Sequence, residues 1–159
     1  LSFDIIQNEN NNCRNAVSPP GHCTKQEDDM TGLIIATHGG FAEGALEAAE
    51  MLVGQQEQVE VIGFCPGDSL EMLLECFANA LDALRECPEI LVLTDIKGGS
   101  PCNAATVMMM KEPKLRVVAG LNIPLLVQFF ESKANGETLA DSIDELVEVG
   151  KFSTMEITL

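Results

Sequence analysis

Short apolar runs alternate with amphipathic stretches along most of this chain. Four apolar runs, each ended by glycine, proline or polar residues, predict buried strands at residues 32–37, 59–64, 89–95 and 114–120. Apolar residues recur at helical spacing between and after these runs and predict helices at residues 41–54, 69–86, from 100 onward, 123–130 and 136–150. This alternation predicts an α/β fold with right-handed crossovers and a doubly wound, mainly parallel sheet of four strands.

Polar residues mark the start of two predicted helices. Asp68, with Glu71 three residues later, is a predicted N-cap with a capping box. Ser100 is the predicted N-cap of the following helix, with Pro101 at the first helical position, where the missing N–H is not needed. Residues 152–159 alternate less regularly and predict a terminal strand.

The composition changes at Met30. Residues 1–30 are polar, rich in asparagine and proline, and lack a sustained apolar period. They are expected to be a disordered tail or a vector-derived extension in front of one domain, residues 31–159. Without this segment seven basic and 20 acidic residues remain, a net charge of −13 against −16 for the whole chain. A domain with this negative charge repels the phosphates of nucleic acids. We therefore exclude nucleic acids as partners.

Cysteine spacing and hydropathy favour a cytoplasmic location. The six cysteines form no CxxC pair and show no zinc-ligand spacing, so free thiols in a reducing compartment are expected. No apolar run reaches the roughly 20 residues that span a bilayer. The first thirty residues also lack the pattern of a secretory signal. The sequence suggests no metal site and no cofactor.

Candidate chemistry is concentrated in two glycine-containing loops that follow predicted strands. His38 lies in the first loop, THGG, and Asp95 begins the second, DIKGGSP. Ligands of such folds bind beyond the carboxyl ends of the strands, so the two side chains meet there if their strands are neighbours. His38 can be a structural side chain, a metal ligand, a general base or a nucleophile. Asp95 either caps its own turn or accepts the imidazole N–H and fixes the tautomer.

The second loop also has features of an anion site. Gly98, Gly99 and Ser100 precede a predicted helix, which brings together backbone N–H groups, the positive end of a helix dipole and a hydroxyl. Gly39 and Gly40 are candidates for a second set of amides, and a plain N-cap is the alternative reading of the second loop. A nucleophilic imidazole, an orienting carboxylate and such donors suit phosphoryl transfer, which depends mainly on positioning and charge stabilisation.

The motifs GLIIATHGGFAEG, LVLTDIKGGSPCNAA and VVAGLNIPLLVQ, in this order, closely resemble the IIA domain of the mannose-type sugar phosphotransferase system. The similarity covers about residues 31 to 152. It implies a phosphotransferase without a cofactor: a cytosolic phosphocarrier that accepts a phosphoryl group from the carrier protein HPr on His38. The group then passes to a IIB component, which supports sugar uptake through a membrane permease of IIC and IID components.

The resemblance also implies residue roles and an assembly. The phosphorylated histidine, the orienting aspartate, the phosphate-contacting serine and the two loop glycines of the family correspond to His38, Asp95, Ser100, Gly98 and Gly99. The family forms homodimers that exchange a C-terminal strand. Here that strand would be residues 152–158, a fifth, antiparallel edge strand.

Two residues depart from the family pattern. Lys97 stands where relatives often carry an apolar or aromatic residue, and Cys102 stands where Phe is common. Lys97 either attracts the phosphoryl group or is a solvated loop charge. Cys102 is expected to be a packing residue, although its place at a helix start could lower its pKa.

Two other functions remain open at this point. A hydrolase would use Ser100 or Cys102 as nucleophile and His38 as base, although the chain has no G-x-S-x-G elbow. A module that senses small molecules is the third hypothesis, although the G-x-G-x-x-G fingerprint of dinucleotide sites is missing.

Overall fold

The computed structural model describes residues 31–158, which form a parallel sheet between two layers of helices. The elements in chain order are β1 (Gly32–His38), α1 (Phe41–Val53), β2 (Val59–Phe64), α2 (Leu70–Ala83), β3 (Ile90–Thr94), α3 (Ser100–Met109), β4 (Leu115–Ala119), α4 (Ile123–Ala134) and α5 (Leu139–Phe152). The strands pair in the order β2-β1-β3-β4, all parallel, which confirms the predicted sheet. The tail predicted for residues 1–30 lies outside the described residues.

Different helices cover the two faces of the sheet. Leu33 and Ile35 of β1 pack against α1, α4 and α5, whereas Ile34 and Ala36 pack on the side of α2 and α3. Both faces are therefore buried, which explains why the strand is an unbroken apolar run rather than an alternating one. Within the described residues no helix has the length and apolar character needed to cross a membrane.

Two helices begin one residue away from their predicted starts. Ser69, not Asp68, caps α2: the Ser69 hydroxyl accepts the Met72 N–H at 3.2 Å. The Asp68 carboxylate instead accepts the Cys65 N–H at 2.6 Å and closes the preceding turn. Short polar side chains form local bonds of either kind, so sequence spacing alone did not show that Ser69, rather than the predicted Asp68, is the cap.

The start of α3 is shifted by one residue in the opposite direction. Gly99 is the N-cap, Ser100 is the first helical residue and Pro101 follows inside the first turn. Pro101 therefore still lies where a backbone N–H has no partner within the helix.

The predicted fifth strand is not formed within the single chain. Helix α5 continues to Phe152, and residues 154–158 have no regular secondary structure. A lone extended segment forms no ladder of hydrogen bonds without a neighbouring strand. Among residues 31–158 the sheet accordingly has four strands, with β2 and β4 at its edges.

Candidate functional site

The predicted meeting of the two loops is confirmed. Strands β1 and β3 are direct neighbours, with Ala36 opposite Thr94, so the residues that follow lie side by side at the carboxyl edge of the sheet. The Asp95 Oδ2 atom lies 2.8 Å from the His38 Nδ1 atom. The same oxygen accepts the His38 backbone N–H at 2.8 Å. One carboxylate thus holds both the main chain and the ring of the histidine.

The environment of Asp95 determines its charge. Partial burial acts to raise the pKa of its carboxyl group, but hydrogen bonds from the His38 N–H, the His38 ring and the Ile96 N–H outweigh it and lower the pKa below the usual value. The group is therefore ionised at neutral pH and can only accept hydrogen bonds. We accordingly assign the imidazole proton to Nδ1, which leaves the lone pair on Nε2.

Phe64 is a third residue of this site that the sequence analysis missed. It pairs with His38 across β1 and β2, and the two rings meet edge to face with centroids 5.9 Å apart. Asp95, just after β3, and Phe64, at the end of β2, thus contact the imidazole from the two sides of β1, yet 44% of the histidine side chain stays exposed. The position of Phe64 in the sequence could have indicated this role, because Phe64 ends a predicted strand at the same edge of the sheet as His38.

Close approach explains two of the glycines around the ring. A Cβ atom at Gly99 would lie 2.8 Å from the His38 Cε1 atom, closer than real contacts allow. A Cβ atom at Gly63 would lie 2.7 Å from the Gly39 carbonyl oxygen. Gly39 has a different requirement: its φ is +59°, whereas a Cβ there would meet nothing within 4 Å.

The backbone amides of the two loops differ in availability. The Gly39 N–H donates to the Phe64 carbonyl at 2.8 Å, and the Gly99 N–H donates to the Ile96 carbonyl at 3.2 Å. These two predicted phosphate ligands are therefore already engaged through their amides. The N–H groups of Gly98 and Ser100 donate to no backbone acceptor in the described part of the chain. They lie at the N-terminus of α3, where the helix dipole favours an anion.

Two polar side chains hold these loops in place. The buried Thr37 hydroxyl accepts the Ala42 N–H at 2.8 Å, so it satisfies a first-turn amide of α1 that Gly40, the N-cap residue, cannot serve. The Asn103 side chain donates to the Gly98 carbonyl at 2.9 Å. Neither contact was predicted, because each depends on the course of the loop in space.

The two residues that depart from the family pattern have different surroundings. Lys97 is exposed and is the one cationic residue in the four described loops that follow the strands, residues 39–40, 65–69, 95–99 and 120–122. Cys102 is only 8% exposed and packs as predicted. Within the described region, Cys65, Cys87 and Cys102 are free thiols.

Known proteins are similar to this chain in sequence and in fold. A family model described as the PTS system fructose IIA component matches residues 32–147. The mannose-specific EIIAB component of Escherichia coli K12 is 38% identical over 119 residues, which is 75% of this chain but only 37% of that protein. The fructose-specific EIIA component of Bacillus subtilis is 32% identical over 99 residues, 62% of this chain and 68% of that protein.

Solved structures agree with these relatives. A IIA protein associated with the fucose utilization operon of Streptococcus pneumoniae superposes with a TM-score of 0.72 at 35% identity, covering 79% of this chain and 92% of that one. The family model covers most of the residues that the structure describes, and it includes both His38 and Asp95. The chain therefore belongs to the mannose-type IIA family of the sugar phosphotransferase system.

Proposed function

We propose that this chain is a phosphocarrier that accepts a phosphoryl group from phospho-HPr on His38 and passes it to a IIB component. The observation that carries this proposal is the hydrogen bond of 2.8 Å between the His38 Nδ1 atom and the ionised Asp95 carboxylate. The imidazole that makes this bond is exposed. A ring held in one tautomer, with its other nitrogen open to a partner, is suited to a covalent intermediate.

The transfer step follows from this tautomer. The Nε2 lone pair attacks phosphorus, a new N–P bond forms, and the bond from phosphorus to the donor histidine breaks with its electron pair returning to that ring. The His38 ring gains positive charge while Nδ1 keeps its proton. Asp95 stabilises this charge through the hydrogen bond that it already accepts. The onward transfer to IIB reverses these steps with IIB as acceptor.

The start of α3 supplies donors for the phosphoryl oxygens. The amides of Gly98 and Ser100, with the Ser100 hydroxyl, are proposed to bind them, helped by the helix dipole. Gly39 and Gly99 contribute differently, because their amides are engaged: Gly39 shapes the turn, and Gly99 leaves room for the imidazole.

The proposed assembly is a homodimer in which residues 154–158, the part of the predicted strand that lies beyond α5, pair as an antiparallel strand with the sheet of a second copy. Phe152, Met155 and Ile157 are 74%, 67% and 81% exposed in the single chain. Large apolar side chains gathered in one short segment are typical of a surface that a partner covers. The HPr and IIB partners, and through IIB the IIC and IID permease, complete the proposed pathway.

A labelling experiment tests the carrier function. Incubation with radiolabelled phospho-HPr should transfer the label to the wild-type chain and to Cys102→Ala, but not to His38→Ala. The label should be stable in alkali and lost in acid, as expected for the phosphoramidate bond of phosphohistidine. Labelling of the His38→Ala variant would contradict the assignment. Loss of label only in Cys102→Ala would favour the hydrolase alternative.

A further inference from the structure

Asn122, in the GLNIP motif, has no part in the chemistry described above, yet its side chain makes contacts in three directions. Its Oδ1 atom accepts the Leu125 N–H at 3.0 Å and caps α4. Its Nδ2 atom donates to the Gly120 carbonyl at 3.2 Å and to the Gly150 carbonyl at 3.2 Å. A cap needs only the oxygen, so the two bonds of the amide nitrogen call for another explanation.

One of these contacts leads to the C-terminal segment. Gly150 lies in the last turn of α5, just before residues 154–158 leave the helix. The Ser153 hydroxyl donates to the same Gly150 carbonyl at 2.8 Å and approaches the Asn122 Oδ1 atom at 3.5 Å. A Cβ atom at Gly150 would lie 2.8 Å from the Leu125 side chain, so the two helix ends are in close contact. Asn122 therefore fastens the point from which the C-terminal segment departs.

The other contact leads to the His38 site. The N–H groups of Gly120 and Leu121 both donate to the Thr94 carbonyl at 2.9 Å. Thr94 directly precedes Asp95, whose carboxylate holds the imidazole. By bonding to the Gly120 carbonyl, Asn122 fixes the short loop that anchors this end of β3. Gly120 has a φ of +106°. Because a glycine backbone can adopt many conformations, the bond from Asn122 helps to hold this one.

We propose that Asn122 is a positioning residue that ties the Asp95–His38 pair to the root of the C-terminal segment. The tie runs through the Gly120 loop on one side and through the Gly150 carbonyl on the other. This inference rests on the proposed function of His38. It adds that the geometry of the phosphoryl acceptor depends on the residue that also directs the dimer-forming segment.

Two substitutions separate the bridging bonds from the helix cap. Asn122→Ser and Asn122→Asp keep an oxygen that can accept the Leu125 N–H, since Ser and Asp are good N-cap residues. Both lose the amide N–H that bonds to Gly120 and Gly150. Asn79→Asp, on an exposed position of α2, controls for the added charge. Each full-length variant is compared with the wild type for melting temperature, oligomeric state and phosphoryl transfer from phospho-HPr.

The decisive readouts are the NMR signals of the His38 Nδ1–H and of the Ile157 methyl groups. Both Asn122 variants should stay folded, while these two sets of signals shift and the rate of phosphoryl transfer falls. A loss of alignment of this kind is expected to slow transfer about tenfold. Asn79→Asp should match the wild type in all readouts.

Wild-type His38 signals and transfer rates in folded Asn122→Ser would overturn the inference. So would a change confined to one of the two sites, because a tie must affect both. A wild-type chain that takes no label from phospho-HPr would instead refute the proposed function. In that case the His38 and Ile157 signals would still decide the role of Asn122.

Discussion

At the residue scale, the site depends on how one imidazole is held. Asp95 contacts both the ring and the backbone of His38, Phe64 packs against the ring, and Gly99 leaves space for it. These contacts involve three neighbouring strands or their loops, so a substitution at any of them should affect the ring without touching the reacting nitrogen.

Asp95→Asn tests the orienting carboxylate. The amide can donate as well as accept, so it no longer enforces the Nδ1–H tautomer, and phosphoryl transfer should slow about 10- to 100-fold, as for other partners that orient a histidine. Stopped-flow or quench-flow transfer from phospho-HPr measures the rate. Wild-type rates in a folded Asp95→Asn variant would show that the carboxylate serves the turn alone.

The same variant has a pH signature. Because the pKa of Asp95 in the folded chain lies below its ordinary value of 3.8, the ionised carboxylate stabilises the fold above that value, and this contribution is lost as the pH falls through the lower folded pKa. The difference in unfolding free energy between wild type and Asp95→Asn should therefore shrink between about pH 5 and pH 2. Urea titrations across this range measure it, and a constant difference would contradict the assigned cause.

Gly99→Ala tests the space beside the ring. The added methyl group would meet the His38 Cε1 atom and the Ile96 side chain at 2.8 Å, so the imidazole must move and transfer should slow. Gly44→Ala is the matched control, since a Cβ there meets nothing within 4 Å in helix α1. That control should keep full activity and gain up to about 1 kcal/mol of stability. Equal phosphoryl-transfer rates in the two variants would contradict the role of Gly99 in leaving space for the imidazole.

At the element scale, two threonines at strand ends show how differently a buried hydroxyl can act. Thr37 in β1 and Thr94 in β3 are both fully buried. The Thr37 hydroxyl accepts the Ala42 N–H and so fixes the start of α1, whereas the Thr94 hydroxyl has no hydrogen-bond partner among the described residues. A threonine hydroxyl thus stabilises the connection from β1 to α1, whereas the Thr94 hydroxyl makes no such bond in the connection after β3.

Valine substitutions test this difference with the same change in chemistry. Thr37→Val leaves the buried Ala42 N–H without an acceptor and should lower the free energy of unfolding by about 1–3 kcal/mol. Thr94→Val removes a buried polar group that has no partner and should be neutral or stabilising by about 1 kcal/mol. Denaturant titrations of both variants measure the effects. Equal destabilisation by both would show that the Thr94 hydroxyl has a partner.

At the scale of the whole molecule, the proposed dimer depends on the C-terminal segment. Helix α5 returns the chain to the carboxyl edge of the sheet, where Asn122 bonds to its last turn. From there residues 154–158 carry exposed apolar side chains and no regular structure. In the proposed dimer, a second copy of the chain covers these side chains and pairs with the segment.

Ile157→Asp tests the proposed exchange. A charge at this position would be buried against the partner's sheet without compensation, so the dimer should dissociate while each chain keeps its fold. Sedimentation equilibrium measures the mass, and circular dichroism checks the fold. Glu156→Gln, which alters the neighbouring residue without placing a charge on the same face, should remain dimeric. A wild-type chain that sediments as a monomer would contradict the proposed assembly.

Much of this protein could be predicted from local sequence patterns. The four apolar runs identified the four strands to within a residue or two, because strands buried on both faces need unbroken apolar sequence. The same logic placed His38 and Asp95 at one edge of the sheet, because all parallel strands end there. The helix starts were predicted less accurately: Ser69 caps α2 in place of the predicted Asp68, because neighbouring short polar side chains can both bond to the local backbone.

The sequence by itself determined the order of the elements, the layered parallel sheet and the residue types that the site contains. Only the tertiary structure decided that β1 and β3 are neighbours, that Phe64 packs on the imidazole, and that the amides of Gly39 and Gly99 are already engaged. The physical reason is the separation along the chain over which each kind of interaction acts. Periodicity and turn chemistry act between residues close in the chain, whereas the contact of His38 with Asp95 joins residues 57 positions apart and depends on how whole strands pair.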